Sequence, residues 1–181
     1  MEIRLSGSGG QGLMLAGKLL AEAAAVYDGK NAVQTQSYGP EARGGKSKTD
    51  IVISEGEIDY PKATRVNVLL AMTQPAHDEY VGSLRDDGML IVDSYLVEEV
   101  DREGAVRIPF TMIAIEECGR KLFANVVALG AVVELSGAVS WDSLKSAVLA
   151  RVPKGTETIN AKALEVGREA ARKAIEGRSD G

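Results

Sequence analysis

Residues 2–12 read Glu-Ile-Arg-Leu-Ser-Gly-Ser-Gly-Gly-Gln-Gly, and residues 13–26 continue Leu-Met-Leu-Ala-Gly-Lys-Leu-Leu-Ala-Glu-Ala-Ala-Ala-Val. Glu2 to Leu5 has the composition of a strand. Gly7 to Gly12 is a turn, and Leu13 to Val26 places Leu15, Leu19, Leu20 and Ala23 on one side of a helix. Ala32 to Gln36 is a short second strand candidate. If it lies parallel to the first, the intervening helix makes a right-handed βαβ crossover. Outward from this unit, Asp50 to Ser54 reads as a third strand, and Ile58 to Pro61 as a connection in which Pro61 blocks a ladder.

The pattern then repeats. Val66 to Met72 and Met89 to Val92 are continuous apolar runs suited to strands covered on both faces. A helix from Pro75 to Leu84 separates them, with Asp87-Gly88 as the turn, and Val106 to Ile108 forms an edge strand stopped by Pro109. The last third is helical. Leu122 to Leu135 is apolar enough to be buried, and Ser140 caps a helix carrying Trp141, Leu144 and Val148 on one face. Asn160 caps the final helix, whose Leu164, Ala171, Ala174 and Ile175 face inward while Lys162, Glu165, Arg168, Glu169, Arg172 and Lys173 stay wet. The fold class expected is α/β, with a mostly parallel sheet and a helical C-terminal third. A single domain is expected over residues 1–176, with residues 177–181 as a frayed tail.

Composition narrows the function. The 181 residues are 45% hydrophobic, enough for a full core, and 21 basic against 26 acidic residues give a formal charge of −5. An acidic chain lacks the basic face of a nucleic-acid binder. Cys118 and His77 are the only cysteine and histidine, so this chain alone cannot supply a four-cysteine iron–sulfur cluster or a Cys/His zinc site. His77 reads as a surface or capping residue, and Cys118 as a buried or inert thiol. With no secretory h-region and no membrane-length apolar run, a cytoplasmic location is expected.

Gly7-x-Gly9-x-x-Gly12 matches the dinucleotide fingerprint between a strand and a helix. The acid that normally follows the second strand is missing, because that strand ends Gln34-Thr35-Gln36. The helix amino terminus still offers N–H groups to an anion, so a phosphate-like ligand, a true dinucleotide and simple close packing all remain open. Gln11 either points into the site or satisfies nearby backbone. A second glycine-rich stretch, Ser37-Tyr-Gly-Pro-Glu-Ala-Arg-Gly-Gly45, is locally basic: between Gln34 and Thr49 the only acid is Glu41, against Arg43, Lys46 and Lys48. Arg43 and Lys46 suit a phosphate, a carboxylate or a neighbouring chain, and Glu41 and Arg43 alternatively pair with each other.

Taken together, Gly7-Ser-Gly-Gly-Gln-Gly12 with Gly17, Gln36-Ser-Tyr-Gly-Pro-Glu-Ala-Arg-Gly-Gly45, Ile53-Ser54, Tyr60-Pro61, Asn125-Val-Val-Ala-Leu-Gly130, and Asn160 with Ala163 and Gly167 resemble the gamma subunit of 2-oxoacid:ferredoxin oxidoreductases. The resemblance spans nearly the whole chain and is most specific in the Tyr-Gly-Pro-Glu-Ala-Arg-Gly-Gly segment. Asn67 departs from it, standing where an acid is expected. The resemblance implies a Rossmann-like three-layer domain that acts as an accessory subunit, inactive alone. Its assembly would oxidatively decarboxylate a 2-oxoacid, with 2-oxoglutarate the first choice, to the acyl-CoA. Thiamine diphosphate and iron–sulfur clusters would sit on partner catalytic and ferredoxin-like subunits, with ferredoxin as electron acceptor.

On the same resemblance, Gly7, Gly9, Gly10, Gln11 and Gly12, with Tyr38, Gly39, Glu41, Arg43 and Gly44, would help form the coenzyme A side of the site. No catalytic or metal-ligating residue is expected in this chain, and the isolated subunit is a candidate homodimer. The alternative reading is a free-standing nucleotide-binding regulator or NAD(P)-dependent oxidoreductase.

Overall fold

The structure is a computed structural model and describes residues 1–38 and 45–179. A six-stranded sheet in the order β2-β3-β1-β4-β5-β6 forms its middle layer. The strands are β1 (Glu2–Ser8), β2 (Asn31–Tyr38), β3 (Lys46–Ser54), β4 (Val66–Ala71), β5 (Leu84–Asp93) and β6 (Val106–Ile108). The helices are α1 (Leu13–Glu22), α2 (Gln74–Tyr80), α3 (Phe110–Cys118), α4 (Ala124–Ser136), α5 (Trp141–Arg151) and α6 (Glu157–Ser179).

Strand periodicity divides the core. Ile3 and Leu5 of β1, with Val68 and Leu70 of β4 and Ile91 of β5, face the layer formed by α1, α3, α4, α5 and α6. Leu69, Ala71, Leu90 and Val92 face the other way, toward Tyr80, Val81, Val97 and Ala105. On that second face β1 buries Arg4, not an apolar residue. Its guanidinium meets Asp50 at 2.7 Å, and the side chains are 4% and 8% exposed. Ser83 Oγ and the Ala63 carbonyl accept two further Arg4 hydrogen bonds, so this polar pair is satisfied inside the layer.

The mostly parallel sheet agrees with the sequence expectation, and β2 runs parallel to β1, as the crossover reading requires. The two do not pair, because β3 lies between them and runs antiparallel to both. The second glycine-rich stretch is therefore the connection of a β2–β3 hairpin, which allows immediate reversal, whereas parallel neighbours need a long crossover. β1·β4, β4·β5 and β5·β6 are parallel, as expected. Asp87-Gly88 lies inside β5, where the register jumps between Val66 and Val68, so the turn residues are taken up as a strand irregularity.

Further differences arise at helix faces and ends. Leu15 is 47% exposed, and the α1 core face is carried by Leu13, Ala16, Leu19 and Leu20. The chain after Glu22 widens into a π-turn over Ala23–Tyr27, which no amphipathic count detects. Ser140 caps α5 as expected, accepting from Ser143 N. Asn160 is not the cap of α6; it sits one turn inside, donating to the Thr156 carbonyl and hydroxyl. Arg168 is only partly exposed because its guanidinium lies 4.3 Å from the Trp141 ring centre and bonds Glu134 at 2.7 Å. Ile175 is 47% exposed, and α6 continues through Gly177 to Ser179.

α4 and α6 cross at glycines. A Cβ on Gly130 would meet the Leu164 carbonyl, and one on Gly167 would meet the Val127 carbonyl, so the two backbones approach as no side chain would permit.

Candidate functional site

Connections leave β1 and β4 in opposite directions: α1 carries the chain from β1 toward β2, and α2 carries it from β4 to β5 on the other face. Such a reversal opens a crevice beyond the carboxyl ends of the two central strands, where open α/β sheets take their ligands. Ser8 to Gly12 forms one side of it. Gly10 and Gly12 have φ of 93° and 76°, left-handed values that turn the chain sharply from β1 into α1. Gly12 caps α1 without a side chain, and its carbonyl accepts from Ala16 N at 3.1 Å and from Asn125 Nδ2 at 3.2 Å. Leu13, Met14 and Leu15 thus form the first helical turn, whose N–H groups precede any intrahelical acceptor.

Gln11 does not reach outward. Its Oε1 accepts from Ser8 N at 2.7 Å, and its Nε2 lies 3.4 Å from the Met72 carbonyl, so the amide bridges the ends of β1 and β4. Of the two roles open in the sequence, the structure adopts the backbone-satisfying one. The sequence motif alone could not separate them, because the choice depends on Met72, which is distant in the chain.

The two glycine-rich segments meet. Gly9 donates its N–H to the Gly45 carbonyl at 3.0 Å, extending the register that pairs Gly7 with Ser47 and Ser8 with Lys46. Tyr38 ends β2 opposite Ser47. Gly39, Glu41, Arg43 and Gly44 lie outside the described residues. Lys46 Nζ bonds Glu79 Oε2 at 2.7 Å, joining the start of β3 to α2, and that lysine hydrogen bond holds the Glu79 carboxyl below its ordinary range. Asn125 is a positioning residue for the turn whose role the sequence did not disclose, since the two positions are far apart in the chain.

Three other groups are placed differently from any reactive constellation. His77 is buried, not at the surface; its Nδ1 is 2.9 Å from Asp78 Oδ1, and among the described residues its Nε2 has no hydrogen-bond partner. The short α2 turns that ring inward beside Ala76, a placement no periodicity reveals in a seven-residue helix. Cys118 is buried, and burial pushes its thiol pKa up. Asp28, the acid nearest the second strand, accepts from Ser140 N at 2.8 Å and Ser140 Oγ at 2.9 Å, so it serves α5.

These positions define the class. This is an α/β domain with a glycine turn at its switch point and the end of β2 and start of β3 beside it, but without the ribose-binding arrangement of a dinucleotide domain. β3 sets the end of β2 two strand spacings, about 10 Å, from β1, and β2 carries no acid.

The model of the pyruvate ferredoxin/flavodoxin oxidoreductase family matches residues 2–170, and the chain belongs to that family. It is 49% identical over 176 residues to the 2-oxoglutarate synthase subunit KorC of Methanocaldococcus jannaschii, covering 94% of each chain. Among solved structures, the gamma subunit of keto/oxoacid ferredoxin oxidoreductase from Geobacter sulfurreducens matches with a TM-score of 0.87 at 47% identity, covering 95% of this chain and 98% of that one. The 2-oxoglutarate:ferredoxin oxidoreductase of Magnetococcus marinus, a structure with 2-oxoglutarate, coenzyme A and succinyl-CoA bound, shares the fold with a TM-score of 0.84 at 22% identity. That match covers 96% of this chain and 31% of the longer one. Among the described residues, no helix is long and apolar enough to cross a membrane.

Proposed function

We propose that this chain is the gamma subunit of a 2-oxoglutarate:ferredoxin oxidoreductase and forms the coenzyme A side of its active site. The observation that supports this reading is the Gly9–Gly45 hydrogen bond, which sets the last residue of the second glycine-rich segment against the first at the crevice of the sheet. End-to-end similarity to 2-oxoglutarate synthase subunits supports the choice of oxoacid. The donor set fits an anionic, phosphate-bearing ligand: positive-φ glycines expose backbone and the first turn of α1 presents N–H groups. Arg43, outside the described residues, is the guanidinium the neighbouring sequence offers.

Coenzyme A, when bound, supplies the thiol that accepts the acyl group. This chain's residues bind and orient its polar portion. Thiamine diphosphate and iron–sulfur clusters belong to partner subunits, and ferredoxin takes the electrons.

Anaerobic purification of the tagged chain from its native cells tests the assembly. Recovery of 2-oxoglutarate- and coenzyme-A-dependent reduction of a viologen dye, with partner subunits, is the expected result; recovery of the chain alone and inactive refutes it. Within the intact complex, Arg43→Ala raises KM for coenzyme A while KM for 2-oxoglutarate stays constant. Unchanged kinetics would remove Arg43 from the site.

A further inference from the structure

The two edges of the sheet are built differently. β6 spans only Val106–Ile108, carries Arg107 at its centre and is stopped by Pro109, the usual devices that keep an edge from pairing. β2 runs over Asn31–Tyr38 and contains no charged residue, no proline and no glycine. Among the described residues β3 is the only strand it pairs with. A long, neutral, uninterrupted edge is a template for another strand.

Charge on one face of this edge shows which strand fits. β2 pairs with β3 so that Thr35 lies opposite Asp50 and Ser37 opposite Lys48. Where β2 ends, a recess of about 240 Å³ is lined by Thr35, Gln36, Ser37, Lys48, Asp50 and Lys62. Where β2 begins, a recess of about 380 Å³ is lined by Asn31, Val33, Glu57 and Asp59. Lys30, which precedes Asn31, is taken up by Asp28, Glu55 and the Ala138 carbonyl, so the uncommitted charge is acid at the start of the strand and base at its end. Asp50 adds no free acid at the basic end, because Arg4 holds both of its oxygens and Lys48 Nζ stands 3.6 Å from one of them, which leaves Lys62 as the uncommitted base. Glu57, Asp59 and Lys62 have no ion-pair partner among the described residues.

We propose that two copies of this chain associate by antiparallel pairing of their β2 edges, joining their sheets across a two-fold axis. An antiparallel copy brings the start of one β2 alongside the end of the other. Because the axis stands perpendicular to the sheet, like faces stay together, and Glu57 and Asp59 of one copy meet Lys62 of the next. Paired residues must share a face, so the axis falls at Gln34 or Thr35. A parallel pairing would set acid beside acid and base beside base. The arrangement points the two β1/β4 crevices toward opposite ends of the joined sheet, leaving both open to other chains. It does not depend on the function proposed above.

Asp59→Lys and Lys62→Glu, made separately in the full chain, supply the test by analytical ultracentrifugation. The wild-type chain dimerises, and each variant weakens the dimer by about tenfold or more, since each places like charges together twice. An equimolar mixture of the two variants restores the dimer, because both contacts in the mixed pair are then between opposite charges. Thermal melts matching wild type show that each variant is folded. A monomeric wild-type chain, a dimer indifferent to both substitutions, or a mixture that stays dissociated overturns the proposal.

Discussion

Asn125 donates its side-chain N–H to the Gly12 carbonyl at 3.2 Å, so the start of α4 holds the turn that leads from β1 into α1. Gly12 can make this contact because its φ is 76° and it has no Cβ; an added Cβ would stand 2.5 Å from Asn125 Nδ2. Gly12→Ala therefore combines left-handed strain with a polar clash. It is expected to cost about 1–2 kcal/mol from the backbone term alone. A thermal or urea melt measures it, and an unchanged midpoint would show that the turn relaxes freely. On the function proposed above, the same substitution in the assembled enzyme is expected to raise KM for coenzyme A.

Helix α6 meets α4 through Gly167 and Gly130, each facing a carbonyl of the other helix. Gly167→Ala and Gly130→Ala each push the helices apart, at about 1–3 kcal/mol. One displacement makes room for both methyl groups, so the double substitution costs less than the sum of the singles. Strict additivity in a double-mutant cycle would mean that the two contacts respond independently.

These two sites also show what sequence can carry. The β1–turn–α1 unit was legible because its strand, glycine spacing and apolar helix lie in one continuous stretch, and the long apolar runs of β4 and β5 declare strands covered on both faces. The insertion of β3 between β1 and β2 was not, because periodicity describes faces and says nothing about which edges pair. Gln11 illustrates the same limit within the site: its type suits either a ligand or the backbone, and only the Met72 carbonyl, supplied by β4's end, decides. Buried Arg4 and Asp50 broke the apolar pattern of their strands, yet nothing local linked them across 46 positions.

That Arg4–Asp50 pair yields a third prediction. Asp50→Asn removes the partner of a guanidinium that is 4% exposed, leaving it buried and uncompensated, and is expected to cost about 3–5 kcal/mol. Replacing both with apolar residues, Arg4→Met with Asp50→Leu, removes the desolvation demand together with the attraction and costs less than Asp50→Asn alone. Urea unfolding of the three chains checks the order. A double variant less stable than Asp50→Asn would mean that the hydrogen bonds to Ser83 and Ala63 carry most of the benefit.

Glu134 of α4 accepts from Arg172 Nε and from Arg168 Nε, both at 2.7 Å, and so ties α6 to α4 on the open side of the glycine crossing. The Arg172 hydrogen bond, with Arg168 adding to it against the cost of burial, holds the Glu134 carboxyl below its ordinary value of 4.5. A carboxyl whose native pKa lies below its unfolded one contributes stability that is full above the unfolded value and drains as pH falls through the native one. Glu134→Gln removes that contribution while keeping the shape. The wild-type urea midpoint should therefore exceed the variant's at about pH 7, and the gap should close toward about pH 3. Salt narrows the gap at neutral pH, because both arginines are partly exposed. A gap that stays constant on acidification would assign the effect to packing of the side chain against Arg168 and Arg172, and not to its charge.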